Sequence, residues 1–508
     1  MKKLLLVLII AVLSVACSAL PQMGAVQPET TMTTETPEQR EARLAEEQRQ
    51  AEEEARRKAE EEARRKAEEE AKRLAELRAR TVYAKEGAAL FSDAEMTIPL
   101  EIETIERMPV LTTDKIVAED GTISGYQFEK VGEVEQVGYV SAADVATELA
   151  DFINSPYENI DYGYFERREI AERPPIKVRG LYVTQYTASS SARMDELIAL
   201  ANETDINAFV IDVKDDNGNL LFYSKTAETV MPELNEAVAI DDIEAFVKKL
   251  KDNNIYLIAR IVTFKSPQYA AKYTDRAITR PNGSLYKKGD GIAWATPYDR
   301  QLWDYVLGIC NEAAEVGFDE IQFDYVRFPV VSRADNDTLD FHNEKDESKP
   351  EVIHKFLRHA YQQLADAKVY ITADIFGWSG SAWGDEGIGQ HWEAMANAVD
   401  YVAPMMYPSH YGPGNYGLSY PDTQPAATID ASIKDILERN ANLPTQPITR
   451  PWIQDFTASW LGSGRYISYG VPEVRAQIEA LAANGVDEYM VWNSSNNYHA
   501  DAFKNGAE

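Results

Sequence analysis

Cysteine is scarce in this chain, and basic residues are outnumbered. Two cysteines, Cys17 and Cys310, occur in 508 residues, so no disulfide framework holds the fold. Lysine and arginine number 51 against 83 aspartates and glutamates, a net charge of −32 at pH 7. That surplus argues against nucleic acid and anionic membrane surfaces as partners, and it suits an exported, soluble body. A glycine-rich phosphate loop, a serine nucleophile elbow and a Cys–His pair are all missing. His354 and His359 lie five residues apart on an expected helix, about 140° around its axis, and so miss the i,i+4 spacing of a metal pair. No metal and no cofactor are expected. Cys310, in the helical run 306–310, reads as a small buried hydrophobe.

What is present divides the chain, whose length implies two or three domains. Residues 1–18 carry Lys2 and Lys3, an apolar run from Leu4 to Val15, and then Cys17. This is a secretory signal, too short for a spanning helix. Ser14-Val-Ala-Cys17 resembles a bacterial lipobox, although Leu13 stands one place further from the cysteine than in the usual pattern. The resemblance implies lipidation at Cys17 and an extracytoplasmic lipoprotein held to the membrane through its N-terminal lipid, with plain secretion or an uncleaved anchor as the alternatives. Residues 19–37, rich in Pro, Thr, Gln and Glu, read as a disordered tether. Residues 38–80 read as a charged helix, with the repeat Ala51-Glu-Glu-Glu-Ala-Arg-Arg-Lys58 recurring from Ala59 and Ala67. The first two Glu triplets precede basic triplets by four residues, and the third precedes Lys72-Arg73-Leu74, the favourable orientation for side-chain ion pairs. Alanine every four residues drifts around the helix, which favours a solitary helix over a coiled coil. It would span about 60–65 Å.

Residues 81–145 hold about five short β runs: Val82–Ala84, Ala89–Phe91, Met108–Leu111, Tyr126–Val131 and Val137–Val140. Gly138-Tyr-Val-Ser141 resembles the last strand of bacterial SH3-like modules, with Tyr83, Phe91 and Tyr126 as either ligand surface or core. Residues 146–175 read as a helix and linker. From 176 to 508 strand and helix patterns alternate eight times. Strands are expected at Lys177–Tyr186, Ala208–Lys214, Ile255–Phe264, Gly317–Pro329, Val369–Ile375, Tyr401–Met406, Trp452–Phe456 and Glu488–Trp492. That pattern is α/β and predicts a (β/α)8 TIM barrel, with a doubly wound sheet as runner-up.

In such a barrel the working residues come from the C-terminal ends of the strands. Those ends supply Asp212 and Lys214, Arg260, then Asp324, Tyr325 and Arg327, then Asp374 and Trp378. Tyr407 and His410, Trp452 and Asp455, and Trp492 complete the set. All eight tryptophans fall after residue 290. Tryptophan faces stack on sugar rings and carboxylates bind hydroxyls, so the set fits a glycan better than other small molecules; rim packing explains part of the aromatic content. Asp324, beside Arg327, is expected to stay ionised as a nucleophile or base; a purely structural Asp–Arg pair is the plain alternative. Asp374, near Phe376 and Trp378, is expected to be held protonated as an acid. Asp455 is the third catalytic candidate, holding hydroxyls or supporting the transition state together with Asp212.

The motifs Arg179-Gly-Leu-Tyr-Val, Phe209–Asp215, Phe318–Pro329, Ala373-Asp-Ile-Phe-Gly377 and Ala403–Pro408 resemble a bacterial glycoside hydrolase family long catalogued as a domain of unknown function. The resemblance covers roughly residues 176–500 and implies a barrel distantly similar to the α-amylase and α-galactosidase groups. It implies a nucleophile at Asp324, at the end of the fourth strand. The acid follows the fifth strand in one group, where this chain has Asp374, and a later strand in the other. The implied partner is a polysaccharide or envelope glycan, and a monomer is expected. A non-catalytic glycan-binding barrel and an envelope scaffold are the rival readings.

Overall fold

A computed structural model describes residues 72–504, apart from 154, 165, 172, 288 and 290, together with positions 54, 57, 58, 62, 65, 66 and 69. The signal segment, Cys17 and the tether lie outside the described residues. The chain forms two units, Met1–Ala79 and Arg80–Glu508. In the first, the described positions are helical. Lys58 pairs with Glu54 at 2.6 Å and Lys66 with Glu62 at 2.8 Å, both at i,i+4 as the repeat requires.

The second unit opens with an antiparallel sheet of six strands. These are β1 (Thr81–Ala84), β2 (Leu90–Phe91), β3 (Pro109–Val117), β4 (Ile123–Val131), β5 (Val134–Ser141) and β6 (Val145–Ala146), in the order β2-β5-β4-β3-β1-β6. Val82, Leu90, Val110, Tyr126, Phe128 and Val140 make its core, so Tyr126 is not available as a ligand surface. Strand β3 runs past the expected Leu111, because its second half is largely exposed and carries no apolar alternation to read. Gly138 is required by close packing: a Cβ there would lie 2.5 Å from the Phe128 ring and 2.7 Å from the Phe91 carbonyl oxygen.

The helix expected within 146–175 does not form. Its one helical feature among the described residues is a 3-10 turn at Leu149–Phe152, and the remainder is an extended strap. Ile170 packs with Tyr370 and Tyr401 near the N-terminal ends of two barrel strands. Arg168 donates to the carbonyls of Leu364 and Val369, and Arg173 donates to that of Phe318. A polar, arginine-rich strap satisfies its own backbone poorly as a helix, but it can cap the exposed carbonyls around a barrel's base.

Eight parallel strands then close a barrel: β7 (Arg179–Val183), β8 (Ala208–Lys214), β9 (Tyr256–Val262), β10 (Glu320–Asp324), β11 (Tyr370–Phe376), β12 (Tyr401–Met405), the seventh strand, and β15 (Tyr489–Trp492). The seventh is split into β13 (Ile448–Thr449) and β14 (Trp452–Gln454) around Pro451, which has no N–H for the ladder. Pairing of β15 with β7, and of β11 with β12, closes the circle. Side chains alternate. In β8, Ala208 and Val210 face the interior cluster, while Phe209, Ile211 and Val213 join the core beneath the surrounding helices. The buried base of the interior is charged. Arg450 Nη1 lies 2.8 and 2.9 Å from the two carboxyl oxygens of Glu320, and its Nε donates to Glu488 at 2.8 Å.

Candidate active site

Strand β10 sets Glu320, Gln322 and Asp324 on the inner face, while Ile321 and Phe323 join the outer core. Register pairs Phe323 with Ala373, so Asp324 and Asp374 stand at the same level on neighbouring strands. One strand further, Asp324 pairs with Val262 and Gln322 with Arg260. Three carboxylates converge on the Arg260 guanidinium, which is 1% exposed. Nε and Nη2 donate to Asp324 Oδ2 at 2.8 and 2.5 Å, Nη1 to Asp212 Oδ1 at 2.6 Å, and Nη2 also to Asp216 Oδ1 at 2.9 Å. The cation beside Asp324 is therefore Arg260, and the expected Asp324–Arg327 pair does not form.

The reason is one backbone turn. Tyr325 has φ +48°, a left-handed conformation rare for an aromatic residue, and its N–H donates to Asp324 Oδ1 at 2.5 Å. Past that turn the Tyr325 ring lies against Lys265 and Trp294, and Arg327 packs on the same two rings and on Phe376.

Asp374 has the opposite surroundings. It is 1% exposed. Its Oδ1 accepts from Gln322 Nε2 at 2.6 Å and from the Trp452 indole at 2.7 Å. Burial, reinforced by the charge of Asp324, pushes its carboxyl well above the ordinary range. Asp212, donated to by the Tyr182 hydroxyl at 2.6 Å, is raised by burial to about 6 in spite of Arg260. Asp216 goes the other way: burial alone would raise it, but Arg260 and Lys265 hold it down at about 2.

Above this network lies a cavity of about 360 Å³, lined by Asp216, Arg260, Asp324, Tyr325 and Arg327 on the polar side. Trp378, Tyr407, Trp452, Phe456 and Trp492 form its aromatic side, with His410 also in the wall. Trp492 stacks on Tyr182 at 3.9 Å between centroids, and Trp460, 65% exposed, stacks on Phe456 at 5.8 Å. Gly377 lines the wall where a Cβ would meet the Met405 carbonyl oxygen at 2.6 Å and the Tyr411 hydroxyl closer still. Such a site combines flat apolar faces with a paired carboxylate and a buried carboxyl whose surroundings favour its protonated form. It can hold a sugar ring and do nucleophilic and acid–base work on it.

Four expected site residues are absent from the cavity lining: Asp212 and Asp374 are buried in the hydrogen-bond network beside it, and Lys214 and Asp455 lie elsewhere. A β-bulge between Asp212 and Lys214 places Lys214 opposite Ile261, on the outward-facing register, where it is fully buried. Its Nζ donates to the Val262 carbonyl at 2.7 Å, and burial lowers it to about 8. Asp455 follows the end of β14, is fully buried and takes the backbone N–H and ring Nδ1 of His499, with no place in the cavity lining. Conversely, Tyr182, Asp216, Gln322, Lys265 and Phe456 belong to the site and were not singled out. Gln322 stands two residues before Asp324 in a strand, a spacing that does predict a shared face. Among the described residues no group of three or more His, Cys, Asp or Glu is arranged to hold a metal ion.

A family model described as "Putative glycosyl hydrolase domain" matches residues 180–498. No curated protein matches the chain. Solved structures similar to it include a hypothetical protein from Ruminiclostridium thermocellum, 36% identical over 38% of this chain and 96% of that one, with a TM-score of 0.34. The PgaB (BpsB) glycoside hydrolase domain from Bordetella bronchiseptica is 14% identical over 66% and 100%, with a TM-score of 0.45. An α-galactosidase from Thermus thermophilus is 9% identical over 76% and 70%, with a TM-score of 0.39.

Proposed function

The chain belongs to this glycosyl hydrolase domain family, and from that premise we propose that its barrel hydrolyses O-glycosidic bonds of a polysaccharide with Asp324 as nucleophile and Asp374 as acid. The observation that carries the reading is the contrast between two carboxyls side by side on β10 and β11. One is bound by a guanidinium through two N–H groups. The other is buried, hydrogen-bonded on one oxygen, and pushed toward its protonated form. The two-step mechanism that follows requires the two carboxyls to stand about 5–5.5 Å apart; a separation of about 6.5–9.5 Å would make the enzyme inverting instead.

In this reading a sugar ring rests against the Trp492 and Phe456 side of the cavity, with Tyr407 beneath. Asp324 attacks the anomeric carbon as Asp374 gives its proton to the departing oxygen, leaving a glycosyl ester on Asp324. Water, deprotonated by Asp374, then cleaves that ester and restores both groups. Arg260 holds Asp324 in line, and Asp212 and Asp216 fix Arg260 in turn. Tyr325 and His410 stand where ring hydroxyls would reach. The substrate class supports an extracytoplasmic setting, and the Lys2–Cys17 segment supports export with the body tied to the membrane through Cys17.

The test is Asp324→Asn on purified protein given envelope and exopolysaccharide preparations. Release of reducing ends is expected to fall by more than about 10³-fold while glycan binding persists, because only a transition-state role is removed. Near-normal turnover in the variant would overturn the assignment. Binding without turnover in the wild type would leave a glycan-binding barrel.

A further inference from the structure

Arg327 is the one charged group of the cavity wall that the network described above leaves without a counter-ion. It is 7% exposed, yet it lines the cavity. Its Nη1 donates to the Phe328 carbonyl at 2.8 Å. Its guanidinium carbon lies 4.5 Å from the Phe376 ring centroid, 4.9 Å from that of Trp294 and 5.0 Å from that of Tyr325. Among the described residues no carboxylate forms an ion pair with it; the charges of Asp324 and Asp216 reach it, but both carboxylates are bound to Arg260. Nε and Nη2 therefore keep their donors without an acceptor among the described residues. Three aromatic rings pack around the group where it lines the cavity.

A buried guanidinium is costly to keep unpaired, and its planar edge matches a carboxylate through two parallel hydrogen bonds. Neutral sugar hydroxyls need no such group. We infer that Arg327 is a specificity residue for a carboxylate-bearing sugar, so that the polysaccharide bound here is acidic. The carboxylate can come from a uronic acid or from the lactyl ether of a muramyl residue, and the chemistry of recognition is the same. This rests on the hydrolase reading for the site's location, but not for its outcome.

The experiment uses the Asp324→Asn protein, to prevent turnover, and follows tryptophan fluorescence, since Trp378, Trp452 and Trp492 line the cavity. The probes are oligosaccharides of galacturonan and of glucuronan, and glycan-strand fragments of peptidoglycan, each compared with its carboxyl-reduced form. At least one acidic probe is expected to bind about tenfold or more tighter than its reduced counterpart, the range of a hydrogen bond to a charged group. Which probe it is identifies the source of the carboxylate. Adding Arg327→Met is expected to abolish the preference. Arg327→Lys, which keeps the charge but not the two-pronged edge, is expected to retain only part of it, and it serves where the methionine variant does not fold. Equal binding of acidic and reduced forms across all probes, or no binding of any, overturns the inference, as does a preference that survives at full size in both variants. An acidic preference without hydrolysis by the wild type would sink the hydrolase reading and leave this one standing. Turnover of neutral glycans alone would do the reverse.

Discussion

Asp324 and Asp374 are the same residue type on adjacent strands, and only their neighbours separate them. Arg260 faces one; Gln322, Trp452 and burial surround the other. If Asp374 delivers a proton, hydrolysis requires its neutral form. Its folded pKa is raised by burial and by Asp324, so activity is expected to be present below that pKa and to decline as pH rises through it. Asp374→Asn is expected to remove this alkaline limb. It should slow natural polysaccharides about 10²–10⁴-fold, while aryl glycosides with good leaving groups are slowed far less. Equal losses in kcat/KM for both substrate types would rule the acid role out, since kcat/KM reports formation of the glycosyl ester and not the later step in which Asp374 acts as base. The sequence placed both aspartates at strand ends and set Asp374 beside Phe376 and Trp378, whereas the groups on its carboxyl are Gln322 and the Trp452 indole. It chose Arg327 as the partner of Asp324 because the two are three residues apart. Nothing in residue order reveals that Tyr325 turns left-handed between them, or that Arg260, on the next strand, fills the gap.

At the scale of elements, period-2 alternation and the glycine and proline boundaries made most strands of the barrel legible, Ala208–Lys214 to the residue. Two failures share a physical cause. A strand pattern fixes which face each side chain takes only while pairing stays regular, and the bulge after Asp212 moved Lys214 outward. Likewise β14 ends at Gln454, so Asp455 turns toward His499 instead of the cavity. The strap 146–175 was illegible for another reason: its order comes from carbonyls at the barrel base, not from its own periodicity. The charged base beneath the site was also unread, although it is as buried as the carboxylates at the strand ends. Arg450 and Glu320 are both fully buried, and Arg450 also binds Glu488. Arg450→Met would leave the Glu320 charge in the interior without its cation. A loss of about 3–5 kcal/mol is expected in urea unfolding. Adding Glu320→Gln should recover part of that loss, because the orphaned charge is what costs the stability. Unchanged stability of the single variant would mean that water or another donor reaches Glu320.

At the scale of the whole molecule, the candidate site lies in the barrel, while the N-terminal portion of the chain is charged and repetitive. The ion pairs described there sit in the open: side chains of Lys58 and Glu54 are 69% and 58% exposed, and those of Lys66 and Glu62 are 67% and 58% exposed. Each such pair contributes about 0.2–0.5 kcal/mol at low ionic strength. Exposed pairs of this kind are screened once the Debye length falls to about 3 Å, near 1 M salt. A coiled coil would respond differently, since its apolar seam is indifferent to screening and its helicity depends on concentration. Alanine at every fourth position supplies no continuous seam. A peptide of residues 38–80 is therefore expected to be helical and monomeric at low salt. Its circular dichroism at 222 nm should weaken measurably between about 10 mM and 1 M sodium chloride, with no dependence on peptide concentration over a hundredfold range. Helicity that rises with concentration and ignores salt would instead make this segment an oligomerisation element, and the expected monomer would be replaced by an assembly joined through its helices.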